Sequence, residues 1–265
     1  MGIVNITPDS FSDGGKFTQT DAAVEHALNL ANQGAAILDI GGESTRPYST
    51  AVDADQELSR VMPVIEKLVR KTKTPISIDT SKSVVAAAAI EAGAEIINDI
   101  TGLQGDPKMI DVALQTGAGI CAMHMQGTPQ DMQDNPSYLD VTREIHGYLA
   151  QRKSFLIDAG IEPGKICLDP GIGFGKTHDH NLQLIQDCHQ YLDLGCPILI
   201  GHSRKGFISK LISTDSAQTD PPSISQRDAG TLTITLQLAR QGIQVIRLHE
   251  VANTIAALRV QLRLN

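Results

Sequence analysis

The 265-residue chain contains no tryptophan, and aromatic residues make up only 3% of it. Its core must therefore be aliphatic, and platforms for stacking nucleobases are scarce. Positive charge is in deficit: 22 Lys and Arg against 30 Asp and Glu leave a net charge of −8. That argues against a nucleic-acid-binding surface, though not against a small anionic substrate, because local charge decides that. No apolar run approaches the roughly 20 residues of a membrane span. Met1 leads directly into an apolar run, with no signal-peptide pattern. Cysteine is confined to Cys121, Cys167, Cys188 and Cys196, with no CxxC pair. This usage predicts small core residues in a reducing cytoplasm. The histidines show no HxxxH or HExxH spacing, and His26, His146 and His189 are expected on helix surfaces. No GxSxG elbow is present.

What the chain does have is a repeated pattern. Short apolar runs end in a polar residue at Asn5, Asp39, Asp79, Asn98, His124, Asp169, His202 and Arg247. A buried strand has no structural need for such an end. Stretches with helical spacing separate most of the runs: 20–32, 54–71, 81–92, 107–116, 138–159, 181–192, 226–241 and 251–262. Regular strand–helix alternation implies a parallel sheet with right-handed crossovers. The eight polar ends predict an α/β fold consisting of one (β/α)8 TIM barrel over residues 1–265. Its active site would lie at the carboxyl ends of the strands. The long irregular segments 7–16, 42–52 and 125–137 follow strand ends, where lids belong. Segment 213–225 reads as a surface excursion.

Several of these strand ends carry usable chemistry. The first loop, Asn5-Ile-Thr-Pro-Asp-Ser-Phe-Ser-Asp-Gly-Gly15, is dense in oxygen ligands. Asn5 can offer a carbonyl oxygen to a hard cation such as Mg2+, and Asp9 and Asp13 offer carboxylates. An Asx-turn-rich surface loop is the competing reading. In the second loop, Thr45 supplies a hydroxyl, and Arg46 supplies a planar five-donor cation suited to phosphate, or to a structural salt bridge. Asp79, Asn98 and Asp169 suit a flat heterocycle with an amino-imino edge, unless each merely caps the next helix. Asp169-Pro-Gly-Ile-Gly-Phe-Gly-Lys-Thr177 resembles GxxxxGK[ST] but fails its register at Pro170. It reads as a glycine-rich turn around a ligand, with Phe174 packed on it. Lys205 and Ser203 start a helix after strand seven, and Arg247 and His249 share a face at strand eight. The last strands of such barrels commonly bind phosphate. Lys205, Arg247 and His249 would then supply local positive charge.

Taken together, these motifs resemble the dihydropteroate synthases of the pterin-binding enzyme family. They run in order along nearly the whole chain: the first loop, Leu38-Asp-Ile-Gly-Gly-Glu-Ser-Thr-Arg-Pro47, Ile78-Asp-Thr80, Ile97-Asn-Asp99, Asp169 to Lys176, Ser203-Arg-Lys205 and Arg247-Leu-His249. The resemblance implies a transferase of folate biosynthesis. In that reaction p-aminobenzoate displaces diphosphate from 6-hydroxymethyl-7,8-dihydropterin diphosphate, through a cationic pterin. It assigns the pterin to Asp79, Asn98, Met123, Asp169, Phe174 and Lys205, and the diphosphate to Thr45, Arg46, Arg247 and His249. Phe11, Pro47 and Ser203 would border p-aminobenzoate and competing sulfonamides, Asn5 would ligate Mg2+, and Asp9 or Asp13 would help stabilise the cation. The catalytic set on this reading is Lys205, Asp79, Asp13 and Asp9. The family is usually a cytoplasmic homodimer.

Two positions depart from the family pattern. Ser83 stands where proline usually follows the lysine of Asp-Thr-x-Lys, and Tyr48 stands where glycine often follows Arg-Pro. Two competing functions use a similar barrel. A pterin-binding methyltransferase would have no need for the Ser203-Arg-Lys205 anion cluster, and a non-catalytic paralogue would not retain every anion-site residue.

Overall fold

The computed structural model describes residues 1–7, 16–213 and 220–264, with side chains from residue 19 onward in the second span. Strands and helices alternate: β1 Gly2–Asn5, α1 Lys16–Asn32, β2 Leu38–Gly41, α2 Ala54–Leu68, β3 Ile76–Asp79, α3 Ser83–Glu91, β4 Ile96–Asp99 and α4 Met109–Thr116. They continue with β5 Gly119–Met123, α5 Val141–Asp158, β6 Ile166–Asp169, α6 His178–Asp187, β7 Leu199–Ile200, α7 Gly206–Ile212, α8 Ile224–Arg240, β8 Val245–Ile246 and α9 Ala252–Leu264.

Strands β1 to β6 form a six-stranded parallel sheet in sequence order, and β7 and β8 form a second parallel pair. Two single bridges fasten the pair to both edges of the larger sheet, Gly2 to Leu248 and Leu168 to Ile198. The Ile3 amide donates to Leu248 O at 2.9 Å, and the Leu168 amide donates to Pro197 O at 3.0 Å. Register sets the polar ends side by side: Asn5 opposite Gly41, Gly41 opposite Asp79, Asp79 opposite Asn98, and Met123 opposite Asp169.

Period-two geometry divides the strand residues between two environments. Val4, Leu38, Ile40, Ile78, Ile97 and Leu168 pack with Val61, Ile65, Leu68, Val85 and Leu149 of the helices in one aliphatic core. The alternate residues Ile3, Cys121 and Met123 are buried but stand apart from that cluster. All four cysteines are free, and Cys121 and Cys167 are register partners across β5 and β6. Among the described residues no helix is long and apolar enough to cross a membrane.

Local chemistry explains where helix ends differ from expectation. Thr177 caps α6 in a reciprocal box with His180, so α6 starts before Asn181, and a 3-10 segment Cys188–Leu194 finishes the stretch. Asp140 caps α5, accepting from the Arg143 amide. That leaves Tyr138 outside the helix, where its hydroxyl donates to Gly175 O at 2.9 Å. Ser83 opens α3, and its amide donates to Asp106 Oδ2 at 2.8 Å. Proline at that position would remove the donor.

Candidate active site

At the carboxyl ends of the strands lies a cavity of about 1400 Å³. Its wall includes Asn5, Thr45, Arg46, Pro47, Asp79, Asn98, Met123, Asp169, Phe174, Ser203, Lys205, Arg247 and His249. Residues separated by more than two hundred positions in sequence thus share one surface. Asp9, Phe11 and Asp13 lie outside the described residues. His26, expected on a helix surface, is half-buried, and its Nε2 lies 3.4 Å from Ile3 O on the cavity wall.

The helix-capping alternative separates cleanly by residue. Asp79 caps nothing: the N-cap of α3 is Lys82, which makes no side-chain cap bond. Its Oδ2 instead accepts from Arg247 Nη2 at 2.6 Å. Burial pushes the Asp79 carboxyl up to about 7, against the opposing pull of Arg247. In the Asn98-Asp99 pair the roles split. Asp99 takes the local turn, accepting from the Thr101 and Leu103 amides, while Asn98 donates from Nδ2 to Asp39 at 3.2 Å. Asp169 does both: Oδ1 accepts from the Gly171 amide at 2.7 Å, while the residue lines the cavity, where burial raises its carboxyl to about 6.

The glycine-rich turn after β6 has a steric cause. Gly171 and Gly173 hold φ of 72° and 82°, which L side chains rarely adopt. A Cβ on Gly171 would strike His124 O, and one on Gly173 would lie 2.7 Å from Lys205 Cδ. The turn is therefore moulded around the lysine. Lys205 Nζ donates to Ile172 O and stands 4.2 Å from the centre of the Phe174 ring. Burial lowers the ammonium to about 7, although Asp169 pulls the other way.

The basic end departs from expectation in its charge state. His249 does not supply a positive charge: burial, with Arg204 and Arg247 nearby, holds its imidazole down to about 3. It is a neutral ring whose Nδ1 lies 3.0 Å from Ser203 Oγ. Lys205 is only partly charged at neutral pH. Arg247 keeps its charge, and its Nε also donates to Asp39 Oδ2 at 2.5 Å. Arg46 is exposed and takes part in no ion pair found among the described residues.

Three further residues, present among the polar strand ends and motifs but given no ligand there, take part in the site. Asp39 is wholly buried against Arg247; its sequence signals were its place at the end of an apolar run and in the second-loop motif. Lys176 is 2% exposed; its Nζ donates to Phe174 O at 2.8 Å and approaches His124 Nδ1 at 3.1 Å. Burial lowers its ammonium well below the ordinary lysine range, and holds His124 down to about 3. Lys176 thus ties the glycine-rich turn to His124.

The family model for pterin binding enzymes matches residues 1–249 of the chain. The chain belongs to the pterin-binding enzyme family. A dihydropteroate synthase of Escherichia coli (strain K12) is 42% identical over 260 residues, covering 98% of this chain and 89% of that one. A Xanthomonas albilineans dihydropteroate synthase solved with 4-aminobenzoic acid superposes with a TM-score of 0.91 at 44% identity, covering 100% of this chain and 92% of that one. A Yersinia pestis dihydropteroate synthase in a sulfonamide complex gives 0.89 at 41% identity, covering 98% and 91%. The resemblance read from the motifs is borne out.

Among the described residues no group of three or more His, Cys, Asp or Glu side chains could hold a metal. Asn5 offers one neutral amide oxygen on the cavity wall. Mg2+ keeps most of its water and is held by one or two protein oxygens together with substrate phosphates. The donor set therefore fits an ion that arrives with a phosphate ligand.

Proposed function

We propose that this chain performs the dihydropteroate synthase reaction. p-Aminobenzoate would displace diphosphate from 6-hydroxymethyl-7,8-dihydropterin diphosphate to give 7,8-dihydropteroate. The observation that carries this reading is the meeting of acids from β3 and β6 and an amide from β4 with bases from β8 and the start of α7 in one cavity. The likeness to named synthases over almost the full chain supports it. The same proposal takes residues 1–265 as one domain, with the bridged sheets forming a closed (β/α)8 barrel. It also takes the enzyme as a cytoplasmic homodimer; Leu211 of α7 and Ile224 of α8 are apolar and exposed.

In this mechanism Asp79, Asn98 and Asp169 pair with the amino-imino edge of the pterin, and Met123 and Phe174 pack against the ring. Lys205 donates to the pterin from above the Phe174 face. Thr45, Arg46, Arg247 and His249 bind the diphosphate, and Asn5 would hold Mg2+. When bound, the ion would supply charge neutralisation at the leaving group. The C–O bond breaks first, its electron pair leaves on diphosphate, and the electron-rich dihydropterin stabilises the methylene cation. The neutral arylamine then forms the C–N bond and loses a proton, so little general-base work is needed. Phe11, Pro47 and Ser203 border the arylamine, where a sulfonamide would compete. Asp9 or Asp13 stabilises the cation.

The test is direct. Inorganic diphosphate and 7,8-dihydropteroate should accumulate together when the pterin diphosphate and p-aminobenzoate are mixed with the protein. Binding of a corrinoid with no diphosphate release would favour methyl transfer and overturn the proposal.

A further inference from the structure

Asp39 is 0% exposed, and one of its oxygens serves two partners. Oδ2 accepts from Arg247 Nε at 2.5 Å and from Asn98 Nδ2 at 3.2 Å. Oδ1 is buried and has no hydrogen-bond partner among the described residues. A buried carboxylate with a free oxygen is costly, so its persistence calls for a reason. The hydrogen-bond chemistry supplies one. A carboxylate only accepts, so Asn98 must turn its NH2 toward Asp39. Its carbonyl oxygen is then the group left for the cavity. On the other side, holding Arg247 by Nε fixes the guanidinium plane, with Nη2 directed to Asp79 Oδ2 and Nη1 beside it.

We infer that Asp39 is a positioning residue that sets the Asn98 amide as an acceptor for the pterin, while its negative charge tempers the pull of Arg247 on the diphosphate. The inference rests on the functional reading above. It predicts opposite effects on the two ligand halves. Replacing Asp39 by an uncharged residue leaves the Asn98 amide unoriented, which weakens pterin binding. It also removes a negative charge beside Arg247, which leaves anion binding unchanged or tighter.

The experiment is calorimetric titration of wild type and Asp39→Asn with two probes, inorganic diphosphate and a phosphate-free pterin. The inference expects pterin affinity to fall about tenfold or more, with diphosphate affinity level or raised. In an Asn98→Ala background, Asp39→Asn should add nothing further to the pterin loss. Equal weakening of both probes would mean a merely structural role and overturn the inference, as would no change in either. Wild type that binds neither probe would overturn the functional reading itself. Should Asp39→Asn not fold, side-chain NMR of the wild type still decides. The Arg247 Nε–H signal, assigned by its loss in Arg247→Lys, should stay protected from solvent exchange when inorganic diphosphate is added. Loss of that protection would overturn the inference.

Discussion

Arg247 donates through Nη2 to Asp79 Oδ2 at 2.6 Å. The cation assigned to diphosphate is therefore the counter-ion of a carboxylate assigned to the pterin. A diphosphate that draws Nη2 away frees Asp79 to accept the pterin edge, so the two ligands should help one another. We expect inorganic diphosphate to raise the affinity for a phosphate-free pterin by about fivefold or more, with the reciprocal effect of equal size. Arg247→Met should abolish the coupling. Paired calorimetric titrations measure it, and independent binding in wild type would refute the exchange.

Lys205 gives a second prediction. Its ammonium contacts Ile172 O and the Phe174 face, so Lys205→Ala should lower kcat/KM for the pterin diphosphate by about ten- to a hundredfold. Gly173→Ala should reproduce much of that loss without touching the lysine. Its Cβ would lie 2.7 Å from Lys205 Cδ, at a φ of 82°. Steady-state kinetics on both variants, with thermal midpoints to verify folding, test this. A Gly173→Ala enzyme of normal activity would show that the turn does not place the lysine.

Much of this was legible in the sequence because the periodicity is strong. Even β7 and β8, two residues long, were legible as the apolar runs that end at His202 and Arg247. Asp79 and Asn98 stood out because an acid or amide ending an apolar run has few structural uses. Charge state was not legible. His249 reads as a cation in one dimension, but burial and neighbouring guanidiniums make it neutral. Asp39 also ended an apolar run, but its partners Arg247 and Asn98 lie across the sheet, and sequence spacing carries no trace of that pairing.

Tyr48 holds a φ of 62°, which explains why glycine suits this place in the family. Its hydroxyl donates to Asp134 at 3.1 Å, and its amide donates to Pro129 O at 2.9 Å, tying the second loop to the loop after β5. In Tyr48→Gly, relief of left-handed strain and added unfolded-state entropy oppose each other at similar size. The thermal midpoint should therefore move by no more than about 3 °C. The loss should appear instead as a higher KM for the pterin diphosphate, since Thr45 and Arg46 ride on the same loop. A large drop in midpoint would mean that the exposed tyrosine bond is structural.

The site should also set the pH dependence of stability in the ligand-free protein. Asp79 is raised from 3.8 to about 7, so between those values the folded state holds a proton that the unfolded chain has released. Its stabilising effect is complete in acid and is lost as pH rises through 7. Lys205 is lowered from 10.5 to about 7, so from 7 to 10.5 the unfolded chain holds the extra proton and stability rises with pH. Taken alone, these two groups have their minimum near pH 7, while His249, lowered from 6.5 to about 3, opposes the Asp79 slope below pH 6.5. Measured by urea unfolding, wild type should lose stability relative to Asp79→Asn between pH 4 and 7. Relative to Lys205→Met, it should gain stability between pH 7 and 10. Parallel curves for wild type and either variant would mean that the residue titrates as it does in water, and that the cavity is far wetter than its geometry implies.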